Sequence, residues 1–353
     1  MMIHTVRIRT PRYESERGAA SVFWPIHDGM IRTSRLEINV VHHCNLTCRG
    51  CSHMSPVAPR FFISPEKLFS DLRVLAGHCH TECVSLLGGE PLLHPQLLAV
   101  ISAVRESGIG NRIRIVTNGL LLHSISESMW KSVDEIHVSL YPFTPMKIRD
   151  FATCRTHAQR NSVSLNIRYQ DHFSEYFYET GNQDESLVSR IYRTCTTPRE
   201  DSCHTLCEGI YYKCPQAVFI PMIHRNRPDL VTAQDGINIH GSRRLAEDLA
   251  EYLSASIPLA ACRYCLGSVG KRFTPAQASD KPKSQPVPMR ELIDWKRLDK
   301  LEKKKGMPIE NWLLKASLEA KKLMIRLPPS ILLSPLWRRA LTVLGEMKRN
   351  YTK

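Results

Sequence analysis

The chain has 353 residues, 42% of them hydrophobic and 23% charged, and carries a formal net charge of +14. That balance excludes wholesale disorder and suits one large α/β domain with additions, or two domains. No run of about 18 apolar residues could span a bilayer, and the basic excess favours anionic partners.

Residues 1–35 form a polar lead-in with Pro11, Gly18 and Pro25, and the alternation from Thr5 to Arg9 allows an edge strand. Met1 to Thr10 lacks an apolar core and carries Arg7 and Arg9, so no export signal is expected. Without one, the twelve cysteines read as metal or redox chemistry in a reducing cytoplasm, not as a disulfide framework.

From Leu36 the pattern becomes strand, loop, helix. A strand-like run, Leu36 to Val41, leads into Cys44, Cys48 and Cys51. Ser64 and Pro65 have the form of an N-cap and a first helical residue, with Leu68, Leu72 and Leu75 as the apolar face. A second strand, Cys83 to Leu87, runs into Gly88-Gly89-Glu90-Pro91. The helix after it, periodic from Leu97 to Val104, ends at Gly108 and Gly110. Strand three is Ile113 to Val116, closed by Thr117-Asn118-Gly119. A short helix around Ser124 to Val133, a strand from Glu135 to Leu140, a helix from about Pro145 to Gln159 and a strand from Val163 to Arg168 complete the series. Alternating units of this kind predict a parallel sheet and a barrel or part of one, with its chemistry at the C-terminal strand ends.

Three thiolates at C-x3-C-x2-C spacing can hold three corners of a cubane iron–sulfur cluster, leaving one corner open for a substrate or cofactor. With the Gly88-Gly89-Glu90-Pro91 run, the Thr-Asn-Gly strand end and Ser139, the chain resembles the radical S-adenosylmethionine (SAM) superfamily from about Leu36 to Gly267. The resemblance implies a partial (β/α)6 TIM-type barrel. It implies a 4Fe-4S cluster on Cys44, Cys48 and Cys51, with SAM on the fourth iron and reductive cleavage to a 5′-deoxyadenosyl radical. It places Gly88, Gly89 and Glu90 at the SAM amino group and Ser139 at the ribose or carboxylate, with Asn118 on the same rim. It also implies a reducing partner such as flavodoxin or ferredoxin. One departure stands out: Gly50 occupies the position before the third cysteine, where the family often has an aromatic residue near adenine.

A second cysteine set follows: Cys195, Cys203, Cys207, Cys214, Cys262 and Cys265. Gly209 to Cys214 reads as a hairpin turn and strand. The G-x4-C form and the Cys262-x2-Cys265 pair resemble the twitch or SPASM-like auxiliary domain that follows many radical SAM barrels. The family spacing implies a fully ligated auxiliary 4Fe-4S cluster on Cys195, Cys214, Cys262 and Cys265, with Cys203 in reserve as first ligand. A four-cysteine zinc site is the alternative. A closed cluster passes electrons, which fits a dehydrogenation, and the resemblance to relatives with one auxiliary cluster implies a small polar or sugar-like metabolite as its substrate. Modification of a peptide or lipid-linked substrate is the second expectation, and a zinc-binding nucleic-acid or adaptor protein the non-enzyme one.

The expected divisions are 1–35, an N-terminal extension; 36–180, the barrel; 181–270, the auxiliary segment; 271–289, a linker rich in Pro, Ser, Lys and Gln; and 290–353, a basic helical tail. In the tail, apolar runs mixed with Lys and Arg around Trp312 and Trp337 fit packing on the barrel or a peripheral membrane contact. They lack the aromatic–basic interleaving of an RNA module. No catalytic residue is assigned: Arg168 could hold a carboxylate or phosphate, and His42, His43, His53 and His94 flank the motifs.

Overall fold

The computed structural model describes residues 26–144, 148–223, 235–278 and 287–305. Described residues up to Lys300 belong to one compact unit, and 301–305 to a second. The edge strand expected at Thr5 to Arg9 and the tail helices lie outside the described residues.

The lead-in contains a hairpin the sequence pattern did not reveal: β1 (Ile26–His27) and β2 (Met30–Thr33). Asp28 and Gly29 turn it, both at positive φ (54° and 73°), as a two-residue type I′ connection requires. Strand β3 (Leu36–Val41) follows, then α1 (Pro65–Ala76), β4 (Cys79–Gly88) and α2 (Leu97–Ser107). Strands β2 and β3 lie in succession along one edge of β4, Ile31 opposite Cys79 and Leu36 opposite Val84, all parallel. Helix α1 starts as expected: Ser64 Oγ accepts the Lys67 N–H at 3.2 Å, and Pro65 opens the first turn. Gly108 ends α2 in the left-handed region at φ 71°.

The series continues with β5 (Gly110–Thr117), α3 (Glu127–Ser132), β6 (Glu135–Leu140), α4 (Ile148–Arg160) and β7 (Ser164–Tyr169). Beyond them come β8 (Phe173–Ser174), α5 (Glu185–Thr194), β9 (His204–Cys207), β10 (Ile210–Tyr212), α6 (Gln216–Ile223), β11 (Gly236–Asn238) and α7 (Leu245–Ser254). Then β12 (Arg272–Phe273), α8 (Met289–Leu292) and α9 (Trp295–Lys305) complete the described elements.

The main sheet runs β11-β10-β9-β3-β4-β5-β6-β7. Strands β3 to β7 are parallel and in chain order, an α/β partial barrel. A sixth parallel strand, β9, joins from the other side, pairing Leu36 with His204 and Glu37 with Thr205. The β9–β10 hairpin turns at Glu208 and Gly209, both at positive φ, with Cys207 opposite Ile210.

Strand alternation sorts the side chains into two faces. Leu36, Ile38, Val84, Leu86, Ile113, Ile115, Ile136 and Val138 pack into one core with Leu68, Leu72 and Leu75 of α1 and Val100, Ile101 and Val104 of α2. Each such side chain contributes about 1.5–3 kcal/mol by leaving water. The opposite, concave face carries polar groups: Glu37, Ser85, Arg114 and Glu135 stand side by side in register. Among the described residues no helix is long and apolar enough to cross a membrane.

Candidate cluster and cofactor site

All twelve cysteines are free thiols. Cys48 is buried, and Cys44 and Cys51 are half-buried, on the loop that leaves β3. The Gly88-Gly89 turn presses against the base of this loop. The Gly89 N–H donates to Val41 O at 2.8 Å and the Glu90 N–H to His43 O at 3.1 Å. A Cβ on Gly88 would stand 2.1 Å from Val41 O, and one on Gly89 would stand 1.9 Å from His43 O. Gly88 also sits at φ 132°, where side chains are strained. The two glycines let strand ends β3 and β4 meet beside the thiols.

Glu90 is the carboxylate that the sequence places at a ligand's ammonium. It is fully buried, and its oxygens accept the Thr117 hydroxyl at 2.7 Å, the Leu92 N–H at 3.1 Å and the Asn118 N–H at 2.8 Å. Burial pushes its pKa up, against the pull of those three bonds. Its function here is to tie the end of β5 to the end of β4. Asn118 continues the tie, donating through Nδ2 to Asn45 Oδ1 at 2.7 Å and to Cys44 Sγ at 3.6 Å. Ser139 stands half-buried at the end of β6. Tyr141, two residues on, lies beside the three thiols, and burial raises its pKa.

The other rim of the loop is held by residues expected to start a linker. Ala276, Gln277 and Ala278 run antiparallel to Thr47, Cys48 and Arg49. The Arg49 N–H donates to Ala276 O at 2.9 Å, and Gln277 Oε1 accepts both the Thr47 N–H (3.0 Å) and its hydroxyl (2.8 Å). Phe273 of β12 fills the space beside Gly50, its ring 2.6 Å from where a Cβ would be. Arg49 lies over that ring at 4.4 Å and pairs with Glu175 at 2.8 Å. Sequence reasoning missed this strap, because a Pro-, Ser- and Lys-rich stretch carries no period that forecasts pairing.

The second cysteine set is assembled from distant elements. Cys195 caps α5, Cys214 follows β10, and Cys262 and Cys265 belong to the 3-10 turn after α7. All four line one cavity, with Lys213 and Gly267. Cys203 does not; its sulfur accepts from Arg35 at 3.6 Å, beside Glu37. Asp235 braces the turn, its two oxygens accepting the Ala260 and Ala261 N–H groups at 2.7 and 2.8 Å. Lys213 Nζ reaches Ala255 O (3.2 Å) and the Tyr192 hydroxyl (3.4 Å), and burial brings its pKa down to about 8. Gln216 also lines the cavity and donates to Ser52 O at 2.8 Å, so one side chain touches both cysteine regions.

The flanking histidines are structural in their contacts. His94 bonds Ile63 O at 2.9 Å through Nε2 and the Gln96 N–H at 3.1 Å through Nδ1. His42 stacks on Phe61 at 4.4 Å. Burial brings the pKa values of His42 and His53 down to about 4. Burial pushes the Cys44 and Cys48 thiols up, Cys48 to about 12, so assembly of a metal site here must displace protons. Among the described residues no three His, Cys, Asp or Glu side chains converge on a single metal ion.

Residues 38–165, from β3 into β7, match the family model of the Radical SAM superfamily. These residues form a radical SAM domain. Its family binds a 4Fe-4S cluster and SAM. The cysteine loop and both glycines lie inside the domain, and three free thiols beside a backbone-lined turn suit a cluster with one open iron. A probable GTP 3′,8-cyclase of Metallosphaera sedula is 33% identical over 118 residues, covering 33% of this chain and 36% of that protein. A probable GTP 3′,8-cyclase of Methanothermobacter marburgensis is 28% identical over 142 residues, 40% of this chain and 46% of that protein. The chain thus spans between a third and a half of these relatives' length. Among solved structures, BtrN in complex with AdoMet and 2-DOIA aligns with a TM-score of 0.40 and 16% identity, covering 67% of this chain and 94% of that one. Hexahistidine-tagged anSMEcpe with bound AdoMet aligns with a TM-score of 0.38 and 12% identity, covering 78% and 96%.

Proposed function

We propose that this radical SAM enzyme dehydrogenates a small polar or sugar-like metabolite, with a second 4Fe-4S cluster on Cys195, Cys214, Cys262 and Cys265 as electron acceptor. The observation that carries the reading is the cavity lined by those four thiols, beside a barrel whose own cysteine loop supplies only three. Cys44, Cys48 and Cys51 would hold a 4Fe-4S cluster, which would supply the reducing electron for SAM cleavage and so the power to remove a substrate hydrogen atom. The chain's residues do the rest. Gly88 and Gly89 seat the β4 end against the cysteine loop, where their backbone carbonyls would face the cofactor's amino group, and Glu90, Thr117 and Asn118 fix the rim. The 276–278 strap keeps the loop in register, and Ser139 is the hydroxyl on the cofactor's side of β6.

At the second site Lys213 sets a cation beside four thiolates, which favours the reduced state of an acceptor. A flavodoxin- or ferredoxin-like protein would deliver the first electron. The domain boundaries are proposed as 36–180 for the barrel and 181–270 for the auxiliary segment, with the basic tail as a peripheral membrane contact.

Anaerobic reconstitution tests this. About eight irons per chain are expected, with 5′-deoxyadenosine formed on reduction with SAM. About four irons with SAM cleavage intact would remove the electron acceptor and with it the dehydrogenase reading. The names of the curated relatives favour a second reading, radical cyclisation of a purine nucleotide. Consumption of GTP by the reduced enzyme would select it.

A further inference from the structure

Beside Ser139, the concave face of β6 and β7 carries His137, Asn166 and Arg168, side chains that the cluster sites do not use. His137 stands opposite Asn166, and Ser139 opposite Arg168. They alternate with Ile136 and Val138, which face the core, so all four point into the barrel. His137 Nε2 lies 3.3 Å from Glu135 Oε2, and the Asn166 amide lies 3.2 Å from the same nitrogen. Glu135 is held in turn by Arg112 and Arg114, both at 2.7 Å. Nε2 faces a carboxylate that only accepts and an amide NH2 that only donates, so it serves one of the two, and in either tautomer of the neutral ring Nδ1 keeps one hydrogen-bonding role to offer. Among the described residues Nδ1 has no protein partner, and the His137 side chain is 12% exposed. Burial lowers the His137 pKa, which keeps the ring neutral.

Arg168 is exposed and makes no ion pair or hydrogen bond among the described residues. Burial, Arg114 and Arg35 disfavour its charge, while Glu135 is already engaged by two guanidinium groups. A guanidinium facing other cations without a counter-ion of its own is an anion site. Arg168 also ends its strand on the cysteine-loop side of the sheet, where α/β barrels bind ligands.

We propose that this face is the subsite for a hydroxylated anion, a phosphorylated or carboxylated polyol. Arg168 holds the anionic group, and His137 Nδ1 bonds a hydroxyl, which can donate or accept. The inference deepens the metabolite reading above and rests on it for the term substrate.

Anaerobically reconstituted protein labelled with 15N-histidine tests it. Glucose 6-phosphate and gluconate are titrated in, with glucose as neutral control, each with and without SAM. At least one of the two anions is expected to shift the His137 Nδ1 resonance saturably, and glucose is not. The tighter of the two anions identifies phosphate or carboxylate as the recognised group. Arg168→Met is expected to weaken that anion about tenfold or more, a loss of ~1.4 kcal/mol, and Arg168→Lys to recover part of it. His137→Phe is expected to keep the affinity for inorganic phosphate or acetate while losing the extra affinity for the polyol.

The proposal is overturned if neither anion moves His137, or if Arg168→Met binds them as the parent does. It is equally overturned if Arg168→Met weakens SAM alone, since the guanidinium would then hold the cofactor's carboxylate. Formation of 5′-deoxyadenosine in the same preparation separates the two readings. Intact SAM cleavage with no anion binding rejects the subsite and leaves the radical chemistry standing.

Discussion

The two cysteine regions are built by opposite strategies. Cys44, Cys48 and Cys51 lie on one loop, and the fold's task is to hold that loop against Gly88, Gly89, Asn118 and the 276–278 strap. Cys195, Cys214, Cys262 and Cys265 come from three separate places, and only tertiary packing makes them neighbours. A local triad can leave a corner open for a second molecule without losing its shape. A dispersed set is suited to close around what it binds, because its four thiols arrive on three elements. The difference predicts one site that reacts and one that conducts.

The sharpest break of that contrast is to remove one thiol from each. Cys48→Ala is expected to abolish 5′-deoxyadenosine formation and halve the iron to about four per chain. Cys262→Ala is expected to halve the iron equally but to leave SAM cleavage in place. Loss of cleavage in both variants, measured by chromatography of the reduced reaction, would show that the sites are not separable.

Gly89→Ala comes next. Its Cβ would meet the His43 carbonyl at 1.9 Å, a backbone atom that cannot swing aside. A loss of about 4 kcal/mol in denaturant unfolding is expected, from strain and displacement of the β3 loop. SAM affinity should fall with it, while the second site's iron is kept.

How much of this was legible in the chain follows from the same contrast. The cysteine triad, the glycine pair and the strand–helix alternation from Leu36 to Arg168 are short-range patterns, and each appears where its spacing placed it. Glu90 shows the limit. Its residue type suggests an ammonium partner and nothing more, while its neighbours in space, Thr117 and Asn118, make it a tie between strands as well. The sixth parallel strand, β9, was hidden because its partner β3 lies far back in the sequence. The strap was hidden for a similar reason: its hydrogen bonds are made by backbone and by one glutamine, neither of which leaves a pattern. His137 has no motif beside it in the sequence; its significance comes from cross-strand neighbours Asn166 and Arg168 and from Glu135 on its own strand.

Two smaller substitutions separate how each region is braced. Asp235→Asn places an NH2 against one of two backbone donors, at a cost of about 2 kcal/mol. Chelator challenge should then strip iron from the second site faster than from the first. Gln277→Ala removes the acceptor for both Thr47 donors and is expected to cost about 1 kcal/mol. It should accelerate loss at the first site only, followed as decay of SAM-dependent cleavage. Equal acceleration at both sites by either variant would mean that the Gln216–Ser52 contact couples them.

The smallest expected effect compares the histidines that flank the two regions. His204, on β9 within the auxiliary segment, is fully buried, with Nδ1 2.6 Å from the Tyr211 hydroxyl and Nε2 3.2 Å from Pro198 O. Donating to the carbonyl through Nε2 and accepting through Nδ1, the neutral ring is satisfied. Burial lowers its pKa from 6.5 to about 4. Between those values the unfolded chain binds a proton that the folded one refuses, so stability falls as pH drops through the window and is retained above it. The loss is about 0.8 kcal/mol at about pH 6. His204→Gln keeps a donor and an acceptor and should flatten the slope in thermal unfolding. His42, beside the first region, has the same lowered pKa, but among the described residues neither ring nitrogen has a hydrogen-bond partner. His42→Phe should therefore flatten its share of the slope without the loss of hydrogen bonds that any change at His204 entails. If His42→Phe instead steepens the slope or destabilises the fold near neutral pH, the imidazole is bonded in solution, and the first region is braced as fully as the second.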